Sequence, residues 1–267
     1  QYLVHVHPSG NELGSVYRAD LPINATAETF ARALDGLGKP AAMPWSGLRK
    51  ELRASYEESL KPVPTPGAVQ FAEVVRTVSD MMPENGIITN GAGNYAGFVH
   101  KYTQYKGYKS QLAPTSGSMG YGLPAAIAAK LADPTRTVVN YAGDGCFMMT
   151  SQEFATAVQY GLNVVTIVAN NGMYGTIRMH QEREYPHRVS GTALQNPDFA
   201  AYAQAFGGHG ARVERTEDFA PALARLRAQA QATRLPVLLH CLIDPEAITP
   251  RRSLSEIRGQ LNRSAAV

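Results

Sequence analysis

Apolar residues recur along the chain with two alternating periods, which predict helices and strands in turn. The predicted strands are Gly86–Asn90, Thr137–Ala142, Asn163–Ala169 and Pro236–Ile243, and the predicted helices are Ala68–Met82, Met119–Leu131, Ser151–Tyr160, Pro197–Phe206 and Thr216–Gln231. Continuous apolar strands that alternate with helices are typical of parallel sheets covered on both faces. The pattern therefore predicts an α/β fold, with a doubly wound parallel sheet and helices on both faces.

The first 40 residues show a different organisation. Gln1–His7 alternates as a strand does, and Thr26 is a candidate N-cap for a helix over Ala27–Leu37. One strand and one helix cannot enclose a core of their own, and the prolines of Lys61–Pro66 favour an extended spacer. We expect the C-terminal remnant of a middle domain over residues 1–40, a linker over 41–66, the main domain over 67–250 and a C-terminal tail over 251–267.

Composition and charge narrow the functional classes. The chain has 25 Lys and Arg against 22 Asp and Glu, a net charge of +3 over 267 residues, which is too small for a nucleic-acid-binding face. No apolar run approaches the roughly 20 residues that a membrane-spanning helix needs. We therefore expect a soluble, cytoplasmic protein with neither a nucleic-acid nor a membrane partner.

Three glycine-containing loops of unusual composition follow predicted strands, which is where open α/β sheets bind their ligands. The first contains Gly91-Ala-Gly93-Asn-Tyr-Ala96, a match to the dinucleotide-binding pattern. That pattern should be followed by an acidic residue about 20 positions later, yet none occurs between Glu84 and Asp133. The segment Phe98–Tyr108 is also aromatic and basic, without a clean helical pattern. NAD binding is therefore only an alternative.

The second loop places Asp144 between Gly143 and Gly145, directly after a predicted strand. Glycines let a backbone approach an anion, and the start of a helix favours negative charge. Asp144 alone would repel a diphosphate, but a divalent cation between the two groups removes that conflict. An acidic turn is the simpler interpretation of this loop when it is taken alone.

The third loop changes that interpretation, because Asn171 follows Asp144 by 27 residues and also lies just beyond an apolar strand. One helix and one strand separate the two positions, so a right-handed crossover places the loops side by side. Asp144, Asn171 and the carbonyl of Met173 then offer three oxygen ligands, the type that Mg²⁺ prefers. The sequence therefore predicts a magnesium site that holds a diphosphate.

These motifs resemble those of thiamine-diphosphate (ThDP)-dependent enzymes. Gly143-Asp-Gly145 followed by Asn170-Asn171 is similar to the family's cofactor motif, and Gly117-Ser-Met-Gly-Tyr-Gly-Leu-Pro-Ala-Ala126 resembles the acetohydroxyacid (acetolactate) synthase branch. The resemblance implies the ThDP-binding fold, the cofactors ThDP and Mg²⁺, and a lyase or transferase acting on 2-keto acids. It also implies a homodimer or homotetramer.

The resemblance further assigns roles to individual positions. Asp144, Asn171 and the Met173 carbonyl would bind Mg²⁺. The residues expected to contact the cofactor are Gly93, Asn94, Gly145, Cys146, Tyr174 and Gly175 at the diphosphate, Gly117 at the aminopyrimidine, and Met119 under the bend of the molecule. Ser118 is a further residue expected to bind the cofactor. Cys146 stands where serine is commoner in the family.

Two departures from the family concern catalysis. The glutamate that activates the cofactor belongs, in the family, to an N-terminal domain of the neighbouring subunit, so we expect it outside this chain and expect the chain alone to be inactive. Thr176 and His180 occupy positions where acetohydroxyacid synthases carry Met and Trp, and both are candidate catalytic residues. Three functions stay open: a carboligating synthase, a 2-keto acid decarboxylase without carboligation, and a non-catalytic ThDP-binding subunit that needs a partner chain.

Overall fold

The computed structural model describes residues 1–259 and divides the chain into two units, the first over Gln1–Glu57 and the second beginning at Glu58. In the first unit, strands β1 (Val4–His7) and β2 (Leu21–Asn24) pair in parallel, and helix α1 (Ala27–Asp35) follows. The Thr26 side chain accepts a hydrogen bond from the Thr29 amide at 3.2 Å, which confirms the predicted N-cap. None of residues 1–57 is fully buried.

The second unit is built on one six-stranded parallel sheet with the strand order β4-β3-β5-β6-β8-β7. Its strands are β3 (Ile87–Asn90), β4 (Gln111–Leu112), β5 (Val138–Gly143), β6 (Val165–Asn170), β7 (His209–Val213) and β8 (Val237–Leu242). The chain moves outward from β3 to β4 and returns to the other side of β3 with β5. The strand order therefore reverses between β3 and β5, the kind of position where such sheets bind ligands.

Helices cover both faces of this sheet, which confirms the predicted fold class. One apolar cluster joins the sheet to α3 (Phe71–Met81), α4 (Tyr95–Tyr102) and α10 (Thr216–Thr233). A second cluster on the other face joins it to α5 (Gly122–Ala132), α7 (Phe154–Gln159) and α9 (Phe199–Ala205). The remaining helices are α2 (Ser46–Ser59), α6 (Asp144–Met148), α8 (Gly175–Glu184) and α11 (Leu254–Arg258), and a 3₁₀ turn covers Ser151–Glu153.

Several elements differ from the sequence prediction. Helix α4 begins at Tyr95, before the segment Phe98–Tyr108 in which no clean helical pattern was found. That segment contains only the second part of the helix, so the helix was not predicted. The buried residues of α4 are Ala96, Phe98, Val99 and Tyr102. The expected linker over 41–66 contains the whole of α2. The expected tail contains α11, whose Leu254 and Ile257 are buried, while residues 260–267 of that tail lie outside the described residues. Among the helices of residues 1–259, none is both long and apolar enough to cross a bilayer.

Candidate functional site

The loops that follow β3, β5 and β6 line one cleft at the carboxyl end of the sheet. The cleft encloses about 630 Å³, part of it open to solvent. Most predicted site residues lie on its wall, namely Gly93, Asn94, Met119, Asp144, Gly145, Cys146, Asn171, Met173, Tyr174, Gly175 and Thr176. The structure therefore brings the three loops together, and what their residues bind stays a prediction.

Three predicted site residues do not line this cleft. Gly117, Ser118 and His180 are all exposed. Gly117 adopts a left-handed conformation with φ of +72°, and an added Cβ there would meet nothing within 4 Å. The positive φ angle therefore explains glycine at this position, whereas close packing against a neighbouring atom does not. The Ser118 hydroxyl lies 2.8 Å from that of Ser116.

Asp144 is the buried carboxylate of the cleft, with 3% of its surface exposed. Its Oδ1 accepts a hydrogen bond from the Gly145 amide at 2.9 Å, and its Oδ2 accepts one from Nδ2 of Asn196 at 2.7 Å. Burial raises the pKa of Asp144 above its usual value, although these hydrogen bonds act in the opposite direction. A buried carboxylate of this kind is stabilised by a nearby positive charge, which a divalent cation supplies.

Asn171 and Met173 add two further oxygen atoms to the wall of the same cleft. Oδ1 of Asn171 accepts a hydrogen bond from the Met173 amide at 3.3 Å. The carbonyl of Met173 accepts no hydrogen bond from any of residues 1–259. A carboxylate, an amide oxygen and an unengaged carbonyl form an all-oxygen donor set, which fits Mg²⁺. Within the described part of the chain, no three His, Cys, Asp or Glu side chains cluster as a metal site.

A short strap, residues 192–196, holds the loop that carries these oxygens. The Tyr174 amide donates to the Thr192 carbonyl at 2.9 Å, and the Leu194 amide donates to the Gly172 carbonyl at 2.8 Å. These two bonds flank an antiparallel bridge between Met173 and Ala193. The strap ends at Asn196, the residue that donates to Asp144. Backbone pairing therefore fixes the loop before any ligand binds.

The start of helix α8 forms another part of the cleft wall. Tyr174, the residue before the helix, makes no side-chain cap, so the first amides of α8 are left for another acceptor. Gly145 lies close by, and a Cβ added there would come within 2.6 Å of the Tyr174 ring. Free helix amides beside a backbone without a side chain are a common anion-binding arrangement.

Asn94 and Thr176 connect the starts of helices α4 and α8 across the cleft. The Thr176 hydroxyl donates to Oδ1 of Asn94 at 2.9 Å, and Nδ2 of Asn94 donates to the sulfur of Met179 at 3.3 Å. Both ends of the Asn94 amide are thus engaged with α8. The hydroxyl of Thr176, a candidate catalytic residue, is occupied by this contact.

Cys146 joins three loops of the cleft through its side chain. Its Sγ accepts a hydrogen bond from the Gly120 amide at 3.2 Å and lies 3.3 Å from Oη of Tyr95. Oη of Tyr95 in turn accepts a hydrogen bond from the Gly91 amide at 2.9 Å. Burial, followed by the neighbouring Cys146 thiol, raises the pKa of Tyr95 well above its usual value. Tyr95 therefore serves as a neutral hydrogen-bonding link.

Sequence reasoning missed Tyr95 and Asn196, because their partners Cys146 and Asp144 are 51 and 52 positions away. Asn196 does carry a local signal, since an asparagine before a proline marks a turn. That signal predicts a loop at 196–197 but does not say which side chain the asparagine meets.

Comparison with known proteins supports the family that the sequence motifs resemble. A protein-family profile described as "Thiamine pyrophosphate enzyme, C-terminal TPP binding domain" matches residues 91–241, more than half of the chain. The matched segment includes Asp144, Asn171 and the strap.

Similar curated proteins include several acetolactate synthases. The mitochondrial acetolactate synthase catalytic subunit of Saccharomyces cerevisiae is 32% identical over 87% of this chain and 31% of its own length. A probable acetolactate synthase large subunit of Methanocaldococcus jannaschii is 30% identical over 93% of this chain and 43% of its own. Sulfoacetaldehyde acetyltransferase of Castellaniella defragrans is 34% identical over 57% of this chain and 26% of its own. The chain thus spans less than half the length of each of these relatives.

Proposed function

This chain belongs to the family of thiamine pyrophosphate enzymes, and on that premise we propose that it binds ThDP through Mg²⁺ and serves an acetolactate synthase-like carboligation of 2-keto acids. The observation that carries the proposal is the shared cleft of Asp144 and Asn171, which lies beside the uncapped start of helix α8. When bound, ThDP supplies the nucleophile and the electron sink for decarboxylation of a 2-keto acid.

The oxygen atoms of the cleft would hold the metal ion. The Asp144 carboxylate, the Asn171 amide oxygen and the Met173 carbonyl would provide three ligands to a cation that usually retains phosphate ligands. The amides at the start of α8 and the backbone of Gly145 would then orient the diphosphate. Gly93 and Asn94 face the same cleft from the loop after β3.

Apolar side chains form the rest of the wall and would exclude water from the reacting centre. Phe71, Phe98, Ile243 and Ile248 are buried residues of this wall, and Met119 is partly buried there. Removing water would strengthen every electrostatic interaction within the cleft. Met119 is the residue that we propose to lie under the bend of the cofactor.

We also propose that the active site is completed by a glutamate outside this chain, contributed by a neighbouring subunit of a homodimer or homotetramer. The relatives described above are more than twice as long as the matched region, which supports a further domain in the complete enzyme. On this account the chain alone binds cofactor without turnover. A cytoplasmic location stays a prediction.

Product analysis of the full-length gene product tests the reaction class. With ThDP, Mg²⁺ and pyruvate, the proposal expects acetolactate as the main product and no product from the Asp144→Ala variant. Acetaldehyde without acetolactate would show a simple decarboxylase instead. Cofactor binding without any turnover of 2-keto acids would favour a non-catalytic subunit that acts only with a partner chain.

A further inference from the structure

Asn196 donates two hydrogen bonds at the edge of the cleft, one to Oδ2 of Asp144 at 2.7 Å and one to Oδ1 of Asn170 at 2.9 Å. We propose that Asn196 is a positioning residue that fixes the Asp144 carboxylate for the metal ion, and that a hydrogen-bond chain through Asn170 and His240 to Asp198 fixes Asn196 in turn. This inference rests on the metal site proposed above, and it assigns a role to residues that do not contact the cofactor.

A backbone amide sets the direction, from donor to acceptor, of this hydrogen-bond chain. The Gly172 amide can only donate, and it donates to Oδ1 of Asn170 at 3.0 Å. The amide nitrogen of Asn170 must then face His240, whose Nε2 lies 2.8 Å away and accepts the bond. The proton of the imidazole is therefore on Nδ1, which lies 3.3 Å from Oδ1 of Asp198.

His240 is enclosed so that this tautomer persists. Its side chain lies in strand β8 with 3% of its surface exposed, and the ring of Phe199 packs edge-on against it at 5.0 Å between centroids. Burial lowers the pKa of His240 below its usual value, although the nearby Asp198 carboxylate acts in the opposite direction. A neutral imidazole is the form that can accept a hydrogen bond from Asn170.

Asp198 anchors the far end of the chain. It is the N-cap of helix α9, and its Oδ1 accepts the amides of Ala200 at 2.8 Å and Ala201 at 3.3 Å. The position of that carboxylate is thus set by the helix rather than by His240. Each link from Asp198 to Asn196 has one donor and one acceptor, so no member can rotate without losing a bond.

These hydrogen bonds orient the Asp144 carboxylate and still leave lone pairs on its oxygens for a cation. The Gly145 amide donates to Oδ1 and Asn196 donates to Oδ2, and the backbone amides of Gly172 and Met173 also favour the charged carboxylate. A carboxylate oxygen has two lone pairs, so each oxygen can still coordinate a cation. Without Asn196, the Asp144 side chain gains rotational freedom and the metal ion must order it on binding. Hydrogen-bond partners of metal ligands contribute about 10- to 100-fold to metal affinity.

Metal binding can be measured without turnover. We would compare the full-length protein with Asn196→Ala and with Gln195→Ala, which removes an exposed carboxamide one position earlier on the same strap. The probe is Mn²⁺, counted by equilibrium dialysis against saturating ThDP. The proposal expects the Mn²⁺ dissociation constant to rise about 10- to 100-fold in Asn196→Ala and to stay within about twofold in Gln195→Ala. Added metal should then restore ThDP binding to Asn196→Ala.

Other results would overturn the proposal. Equal dissociation constants for Asn196→Ala and Gln195→Ala would make the contact incidental, and tighter metal binding by Asn196→Ala would make Asn196 a competitor of the ion. If Asn196→Ala does not fold, Asn196→Ser retains one donor and should show a smaller loss of affinity, while unchanged affinity would again overturn the proposal. Wild-type binding separates the two proposals. Failure of the wild type itself to bind Mn²⁺ with ThDP would contradict the metal site, whereas wild-type binding with no effect of Asn196→Ala would contradict only the role of Asn196.

Discussion

Arg258 and Glu182 form a two-pronged ion pair that ties helix α11 to helix α8. Nε of Arg258 lies 2.7 Å from one carboxylate oxygen of Glu182, and a terminal nitrogen lies 3.0 Å from the other. The Glu182 side chain is only 1% exposed and also bonds Arg178 and the His187 amide. Because the first turn of α8 lines the cleft, this pair anchors one wall of the candidate site.

The ion pair predicts that the free energy of unfolding falls at acidic pH. Hydrogen bonding by Arg258 lowers the pKa of Glu182 to about 2, despite opposition from burial. A carboxylate whose pKa is depressed in the folded state contributes stability above its unfolded pKa of about 4.3. That contribution should fade as the pH falls from about 4.5 towards 2, and its full size is on the order of 3 kcal/mol.

Urea unfolding of the wild type and of Glu182→Gln between pH 2.5 and 7 checks this expectation. The difference in unfolding free energy between the two proteins should be largest at neutral pH and should shrink below about pH 4.5. Glu57→Gln, which alters an exposed i,i+4 ion pair with Arg53, is the matched control and should change stability little. A pH-independent difference for Glu182→Gln would contradict the account.

Thr176 provides a second prediction, because its hydroxyl bonds Asn94 rather than standing free in the cleft. Thr176→Val keeps the shape of the side chain and should weaken folding by about 1 kcal/mol through loss of that bond. Thr176→Ser retains the hydroxyl and should therefore retain most of the stability of the wild type. A normal affinity and stability in Thr176→Val, combined with lost turnover, would instead assign the hydroxyl to the reaction itself.

The Cys146 thiol gives a third prediction, which is measured by denaturant unfolding. Cys146→Ala leaves the Gly120 amide and the Tyr95 hydroxyl without their partner, which should cost about 1–3 kcal/mol. Cys146→Ser replaces the sulfur with a shorter polar group and should cost less than the alanine variant. Equal losses in the two variants would show that packing volume, not hydrogen bonding, is what the thiol contributes.

The sequence predicted four of the six strands of the central sheet, and the loops that follow three of them, because both depend on local signals. Strand β5 (Val138–Gly143) is a mostly apolar run interrupted by Asn140, and Asp144 and Asn171 directly follow β5 and the similar strand β6. Strand β7 (His209–Val213) was missed, since an edge strand with mixed polarity has no such pattern. Helix α11 was also missed, although Ser253 and Glu256 form a capping box that is visible in the sequence.

The hydrogen bonds that support the site could not be predicted from the sequence, for a different reason. Asn196 and Asp144 belong to separate segments, and only the pairing of the strap with the loop after β6 brings their side chains together. Asn170 and His240 are 70 positions apart and meet because β6 and β8 are neighbours in the sheet. Neither residue type indicates its partner, so tertiary structure is needed to find such links.

Calorimetric titration of ThDP into the full-length protein tests the central claim most directly. We predict saturable binding in the presence of Mg²⁺, none after chelation of the metal, and none for Asp144→Ala even with Mg²⁺ present. Asp80→Ala removes an exposed carboxylate from helix α3 and should bind as the wild type does. Binding that does not depend on metal, or binding by Asp144→Ala as tight as by the wild type, would contradict the account.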